Sequence, residues 1–171
     1  MDQDDELARR AAAGDAAAFT ALVRRHEGAV RRFLGRLVRG DGADDLAQDV
    51  FVKAWRCAGD WRGEGSYRGW LLRIAWTVFL GSHRVKGRQA RRDQMAFEQA
   101  SAGSSDPGTT IDLSRALAML DQRERAAALL CFGEGYSHSE AAQIMEIPLG
   151  TLKTIVARAR TALAAHLEMG S

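Results

Sequence analysis

Cysteine is nearly absent: 171 residues contain Cys57 and Cys131 and no others. The two lie far apart, with neither disulfide-rich nor metal-ligand spacing, and are expected to be buried thiols in a reducing compartment. No apolar stretch reaches the ~18 residues needed to cross a membrane. The first ten residues, MDQDDELARR, are acidic where a signal peptide would be basic and then apolar. Membrane insertion is therefore not expected, and a cytoplasmic location is. Four histidines stand scattered at 26, 83, 138 and 166. None has a paired nucleophile or metal spacing, so the chain is not expected to be an enzyme, to hold a metal or cofactor, or to take a small-molecule substrate. Prolines occur only at 107 and 148. Sustained alternation at period two is missing as well, which argues against β-structure.

What remains is helical periodicity, in a chain whose 46% hydrophobic content is ordinary for a globular protein. The expected fold is all-α, with two small helical domains joined by a flexible acidic linker. Leu7 to Ala13 form a short first helix, which Gly14 stops; Asp15 caps the next. Phe19, Leu22, Val23, His26, Val30, Phe33, Leu34 and Leu37 recur at three- and four-residue spacing along that long second helix. Residues 93–112, DQMAFEQASAGSSDPGTTID, hold four acids and no base, and cluster Gly, Ser, Thr and Pro in their second half. This composition marks a linker. About four short helices follow it.

Residues 44–55, DDLAQDVFVKAW, carry the sharpest signal. At about 100° per residue, Ala43, Leu46, Ala47, Val50, Phe51 and Ala54 form an apolar stripe. Asp45, Gln48, Asp49 and Val52 face the other way, as a docking surface for a basic partner would. The next helix reverses the charge. Ser66 to Arg92 contain no acid, and Arg68, Arg73, Arg84, Lys86, Arg88, Arg91 and Arg92 are all basic. Leu71, Ile74, Val78 and Val85 mark the expected packing side of this helix. Arg73, Trp76, Thr77, Leu80, His83 and Arg84 mark the other. Trp76 among arginines either stacks on exposed bases or covers a neighbouring element. Trp55 and Trp70 are expected in the core, whereas Trp61 and Tyr67 flank a Gly-rich loop and fit either role.

Ser137 to Leu167 have the pattern of a helix-turn-helix. Ser137 or Ser139 caps the first helix, Pro148 makes the tight turn, and the second helix runs from Thr151. Leu152, Val156, Ala159 and Leu163 form its packing stripe. Lys153, Thr154, Ala157, Arg158 and Thr161 point away, a shape suited to the major groove.

The order of acidic helix, Gly-rich loop, basic aromatic helix, acidic linker and helix-turn-helix resembles the extracytoplasmic-function sigma factors of the bacterial sigma-70 family. The resemblance rests on DDLAQDVFVKAW, WRGEGSYRGWLLRIAW and LDQRERAAALLCFGEGYSHSEAAQIMEIPLGTLKTIVARARTAL, and spans nearly the whole chain. It implies region 2 at 1–92, a linker at 93–112 and region 4 at 113–171. It implies a factor that binds core RNA polymerase, directs promoter-specific initiation and helps melt the start region. By the same resemblance, the segment of Asp44, Asp45, Gln48 and Asp49 contacts the polymerase clamp, and Val52 joins it by its outward position. The loop Gly63, Glu64, Gly65 and Ser66 matches the family's segment that binds the melted promoter element and an extruded base, with Arg62, Arg73 and Arg84 as expected cationic support; Trp76 and Thr77 are expected beside them from their place on the helix. Thr151, Lys153, Thr154 and Arg158 bind the upstream duplex element. Promoter DNA and an anti-sigma factor are implied partners.

The sequence departs from the family pattern at Trp76, Thr77, Gly81, Ile155 and Ala157. Ile155 in place of a basic residue is expected to weaken slightly the salt dependence of DNA binding. Two other functions share the fold: an autonomous helix-turn-helix regulator, and a sigma-like mimic that sequesters an anti-sigma factor.

Overall fold

The computed structural model describes residues 2–92 and 109–169. Among them, eight α-helices and no strand are present: α1 Gln3–Ala12, α2 Ala16–Leu37, α3 Ala43–Arg56, α4 Tyr67–Arg92, α5 Thr109–Met119, α6 Gln122–Ala128, α7 His138–Met145 and α8 Leu149–Met169. A 3₁₀ turn at Ala58–Asp60 follows α3, and a π-helical turn at Leu129–Gly133 follows α6. The chain divides into two compact units, Met1–Gly35 with Gly42–Ala100 and Arg36–Asp41 with Ser101–Ser171. Most of the expected linker lies outside the described residues, and helix α5 already begins at Thr109.

In the first unit, α1 starts earlier than its apolar residues indicate, because Asp4, Asp5 and Glu6 occupy its first turn and favour the helix dipole. Asp15 caps α2 through its Oδ1, which accepts from Ala18 N–H at 3.0 Å. Its other oxygen accepts from Arg10 Nη2 at 2.7 Å. Helix α3 buries Leu46, Ala47, Val50 and Ala54, and α4 packs against it. Ser66 caps α4, its Oγ accepting from Gly69 N–H at 3.0 Å.

Helix α4 corrects the expected side-chain placement. Trp76 is only 3% exposed and lies over Phe79, ring centroids 5.7 Å apart at 24°. Val85, expected to pack, is 63% exposed. Tyr67, Leu71, Leu72, Ile74, Ala75, Trp76 and Phe79 are all buried. At about 100° per residue they cover an arc of roughly 200°, twice the usual stripe, with Trp76 at one border. The expectation assumed a single packed side, whereas α1 and α3 both touch this helix. Trp55 is also corrected: it is 38% exposed, though its ring meets Phe19 at 5.0 Å. Trp70 is half-buried, and so are Cys57 and Cys131. Burial still pushes the Cys131 thiol pKa up, which favours the unreactive protonated form.

In the second unit, α8 packs on α5, α6 and α7. Two capping boxes start its short helices. Asp121 Oδ1 accepts from Glu124 N–H at 2.8 Å while Glu124 Oε2 accepts from Asp121 N–H at 3.2 Å. Ser137 Oγ accepts from Glu140 N–H at 3.2 Å, and Glu140 Oε2 accepts from both Ser137 N–H and its hydroxyl at 2.8 Å. Helix α7 ends in a Schellman turn. Glu146 takes the left-handed conformation (φ 55°). Its N–H bonds Gln143 O, and the Ile147 N–H bonds Ala142 O, the paired bonds of that motif. Pro148 then turns the chain into α8, which begins two residues before the expected Thr151. Arg125, almost fully buried, donates to Leu117 O at 2.7 Å and Leu120 O at 3.0 Å, closing the end of α5.

Two consequences are measurable. Trp76→Ala should cost about 3–5 kcal/mol in chemical denaturation, the usual loss for a large buried aromatic; an exposed base-stacking tryptophan would lose far less. Ser137→Ala should cost about 1 kcal/mol at neutral pH. The Ser137 backbone N–H and then its hydroxyl hold the Glu140 carboxyl below its usual pKa. That contribution is present above the carboxyl's ordinary value and is lost as pH falls through the lowered folded-state value. The variant's stability should therefore change less between neutral and acid pH than that of the parent chain.

Candidate nucleic-acid and partner interfaces

Three exposed surfaces carry the residues singled out by sequence. The first is one face of α3. Asp44, Asp45, Gln48, Asp49 and Val52 are all exposed, Val52 by 50%. Asp44 has Arg31 Nε 4.0 Å away, both side chains well exposed, so this pair restrains it little. Asp45 and Asp49 have no ion-pair partner among the described residues. Trp55, three positions after Val52, extends the face with an apolar ring that the core expectation missed. Its spacing from Val52 and Gln48 was the available signal.

The second surface is the loop before α4 with the outer strip of that helix. Arg62, Gly63, Glu64, Gly65 and Ser66 are exposed. Gly63 and Gly65 both have positive φ, 73° and 74°, a conformation in which a side chain would be strained. Behind the loop lies an aromatic cluster. Trp61 meets Tyr67 edge-on at 5.5 Å and Trp70 at 6.0 Å, and Tyr67 meets Trp70 at 5.3 Å. Arg73 and Arg84 are exposed on α4, and Thr77 is half-buried. The Thr77 hydroxyl donates back to Arg73 O at 3.0 Å. Trp76 does not join this surface, because it is buried.

The third surface is the outer face of α8. Thr151, Lys153, Thr154, Ala157, Arg158 and Thr161 are exposed, while Leu152, Val156 and Ala159 are buried and Leu163 is half-buried. Ile155 is corrected: it is 8% exposed and packs with the core, so a cation there would not have faced DNA. The expected loss of salt dependence has no basis in this position. Arg158 Nε lies 3.5 Å from Glu124 Oε1. The Thr154 and Thr161 hydroxyls donate to Gly150 O and Ala157 O within the helix. Arg160 was overlooked as a ring contact; its guanidinium lies 5.6 Å from the centroid of the exposed Phe132. No helix among the described residues is long and apolar enough to cross a membrane.

Comparison with known proteins places these surfaces in context. The Sigma-70 region 2 family model matches residues 22–89, and the Sigma-70, region 4 model matches residues 110–163. The RNA polymerase sigma factor NccH of Alcaligenes xylosoxydans xylosoxydans is 34% identical, over 96% of this chain and 95% of its own. The ECF RNA polymerase sigma factor SigM of Mycobacterium tuberculosis is 34% identical, over 94% of this chain and 83% of its own. The sigma factor RpoE of Bartonella quintana, solved in complex with the anti-sigma factor NepR, aligns with a TM-score of 0.78 at 29% identity. That alignment covers 88% of this chain and 96% of RpoE.

Proposed function

The chain belongs to the sigma-70 family, with extracytoplasmic-function sigma factors among its relatives, and from that premise we propose how its surfaces divide the work of initiation. It binds core RNA polymerase and directs promoter-specific transcription initiation in the cytoplasm, with no covalent chemistry of its own. The α3 face docks on a basic surface of the polymerase. The 61–66 loop, with Arg73, Thr77 and Arg84 beside it, takes the melted promoter strand and an extruded base. The outer face of α8, through Thr151, Lys153, Thr154 and Arg158, lies in the major groove of the upstream duplex. Residues 1–92 act as the docking and melting domain and 113–171 as the duplex reader.

The observation that carries this reading is the α3 face. Its exposed carboxylates at 45 and 49 lack ion-pair partners among the described residues, and they stand next to exposed Val52 and Trp55. An autonomous DNA-binding regulator has no use for such a face. Extruding a base costs a few kcal/mol, so the loop needs both a pocket wall and cations. The aromatic cluster behind it and the arginines on α4 supply the two. An anti-sigma factor is a further partner of this reading, by analogy with RpoE and NepR.

Run-off transcription with core polymerase, with and without this protein, is the test. A promoter-specific transcript that depends on the protein is expected. No transcript from any candidate promoter, together with no polymerase binding, would sink the proposal. The docking assignment has its own measurement. Asp45→Lys combined with Asp49→Lys should weaken core binding at least about tenfold, or 1.4 kcal/mol, while circular dichroism and melting temperature stay close to those of the parent. Unchanged affinity would exclude the α3 face.

A further inference from the structure

The 61–66 loop has little of its own to hold it in shape. Two of its residues are glycines with positive φ, and 62–66 are all exposed. Its geometry therefore depends on its two ends: Ser66, which caps α4, and Trp61, which leans on Tyr67 and Trp70. Tyr67 is the hub of that cluster and is almost fully buried. Its other neighbour is His26 of α2, at 5.7 Å between ring centroids. The imidazole is in turn held by Asp4 of α1, whose Oδ2 lies 2.8 Å from Nε2, with both side chains only 11% exposed. The other Asp4 oxygen, Oδ1, is 3.2 Å from Arg25 Nη1 but is not aligned for a hydrogen bond.

We propose that Asp4 and His26 are positioning residues for the base-reading loop. The inference rests on the sigma-factor function proposed above. Asp4 orients His26, His26 backs Tyr67, and Tyr67 with Trp70 sets where Trp61 and the loop behind it stand. The chemistry of the contact favours this role over simple anchoring. A buried polar contact adds only modestly to stability, since desolvation offsets much of the attraction, and Ala8 and Ala11 already bury apolar surface on the same helix. What a directional hydrogen bond adds is a fixed ring orientation. Burial, with the charge of Asp4 adding to it, raises the Tyr67 phenol pKa, in keeping with the carboxylate standing close to that ring.

The test uses the full chain with core polymerase. Templates differ only in the base at the extruded position, and the rate of open-complex formation is measured on each. The readout is the ratio of rates on the preferred and least preferred base. This ratio cancels the active concentration, so it is valid even if a variant folds poorly. Asp4→Leu removes the acceptor and should lower the ratio about tenfold, less than the roughly hundredfold that a full 1 Å misplacement can cost, with core affinity unchanged. Asp4→Asn keeps an oxygen that accepts from Nε2–H and should retain most of the discrimination. A ratio unchanged in Asp4→Leu, or lowered as far in Asp4→Asn, overturns the proposal. If the parent itself gives no promoter-specific transcript, the proposed function fails and this inference falls with it. If the parent transcribes and discriminates while Asp4→Leu does so equally well, only the positioning role fails.

Discussion

Burial of the first half of α4 is the constraint on which the first unit depends. From Tyr67 to Phe79 the helix is covered around roughly 200° of its circumference, by neighbours that include α1 and α3. A helix covered that far leaves about 160° of its circumference open, and one strip of it is polar. The strip carries Arg73, Thr77 and Arg84, nearly in line along the axis. Arg73 and Arg84 are separated by about 16 Å of helix rise. Two cations at that separation suit an extended phosphate backbone better than a compact anion. The same packing buries Tyr67, which with Trp70 stands behind the glycine loop.

The charges follow from the same division of surfaces. Helix α3 gives its inner side to α4 and keeps its acids outside. Asp44 and Asp45 lie in the first turn, where the helix dipole favours them by about 0.3–1 kcal/mol each. Asp49 gains nothing comparable, and its i,i+4 relation to Asp45 costs a few tenths of a kcal/mol. Exposed Val52 and Trp55 add an apolar margin to the same face. The dipole accounts for Asp44 and Asp45 in an isolated protein, but not for Asp49, Val52 or Trp55. A cationic surface with apolar contacts would favour these three as well, which is the physical case for the proposed docking role.

Much of this was legible in the sequence, for reasons that mark where legibility stops. Asp15 was readable as a cap, and Ser137 as one of two candidates with Ser139, because capping is local and depends on residue type at one position. The α3 face was readable because that helix packs chiefly on one side, so a single stripe describes it. Trp76 and Val85 were misplaced because α4 is packed on several sides early and exposed late. No single angular stripe fits both halves. Ile155 was misread as a lost cation because it lies between Leu152 and Val156, at the edge of a buried arc whose width depends on neighbours. The His26–Asp4 pair joins residues far apart in sequence, and no local pattern announces it.

The second unit shows how a surface cation can be held in place and still remain available. Glu124 already serves its capping box, with Oε2 accepting from Asp121 N–H. Its Oε1 stands 3.5 Å from Arg158 Nε, with Arg158 two-thirds exposed. An exposed pair of this kind is worth at most about 1 kcal/mol. A guanidinium placed bidentate on a guanine edge is worth about 1–3 kcal/mol of discrimination. In the proposed duplex complex Arg158 would give up only this weak pair, and the Glu124 carboxylate would keep its Asp121 bond. Thr154 and Thr161 spend their hydroxyl protons on their own helix, so the side-chain donors exposed on α8 are chiefly Thr151, Lys153, Arg158 and Arg160. In the proposed complex the placement of these donors would carry the specificity, and the Glu124 cap beside Arg158 would share in setting it.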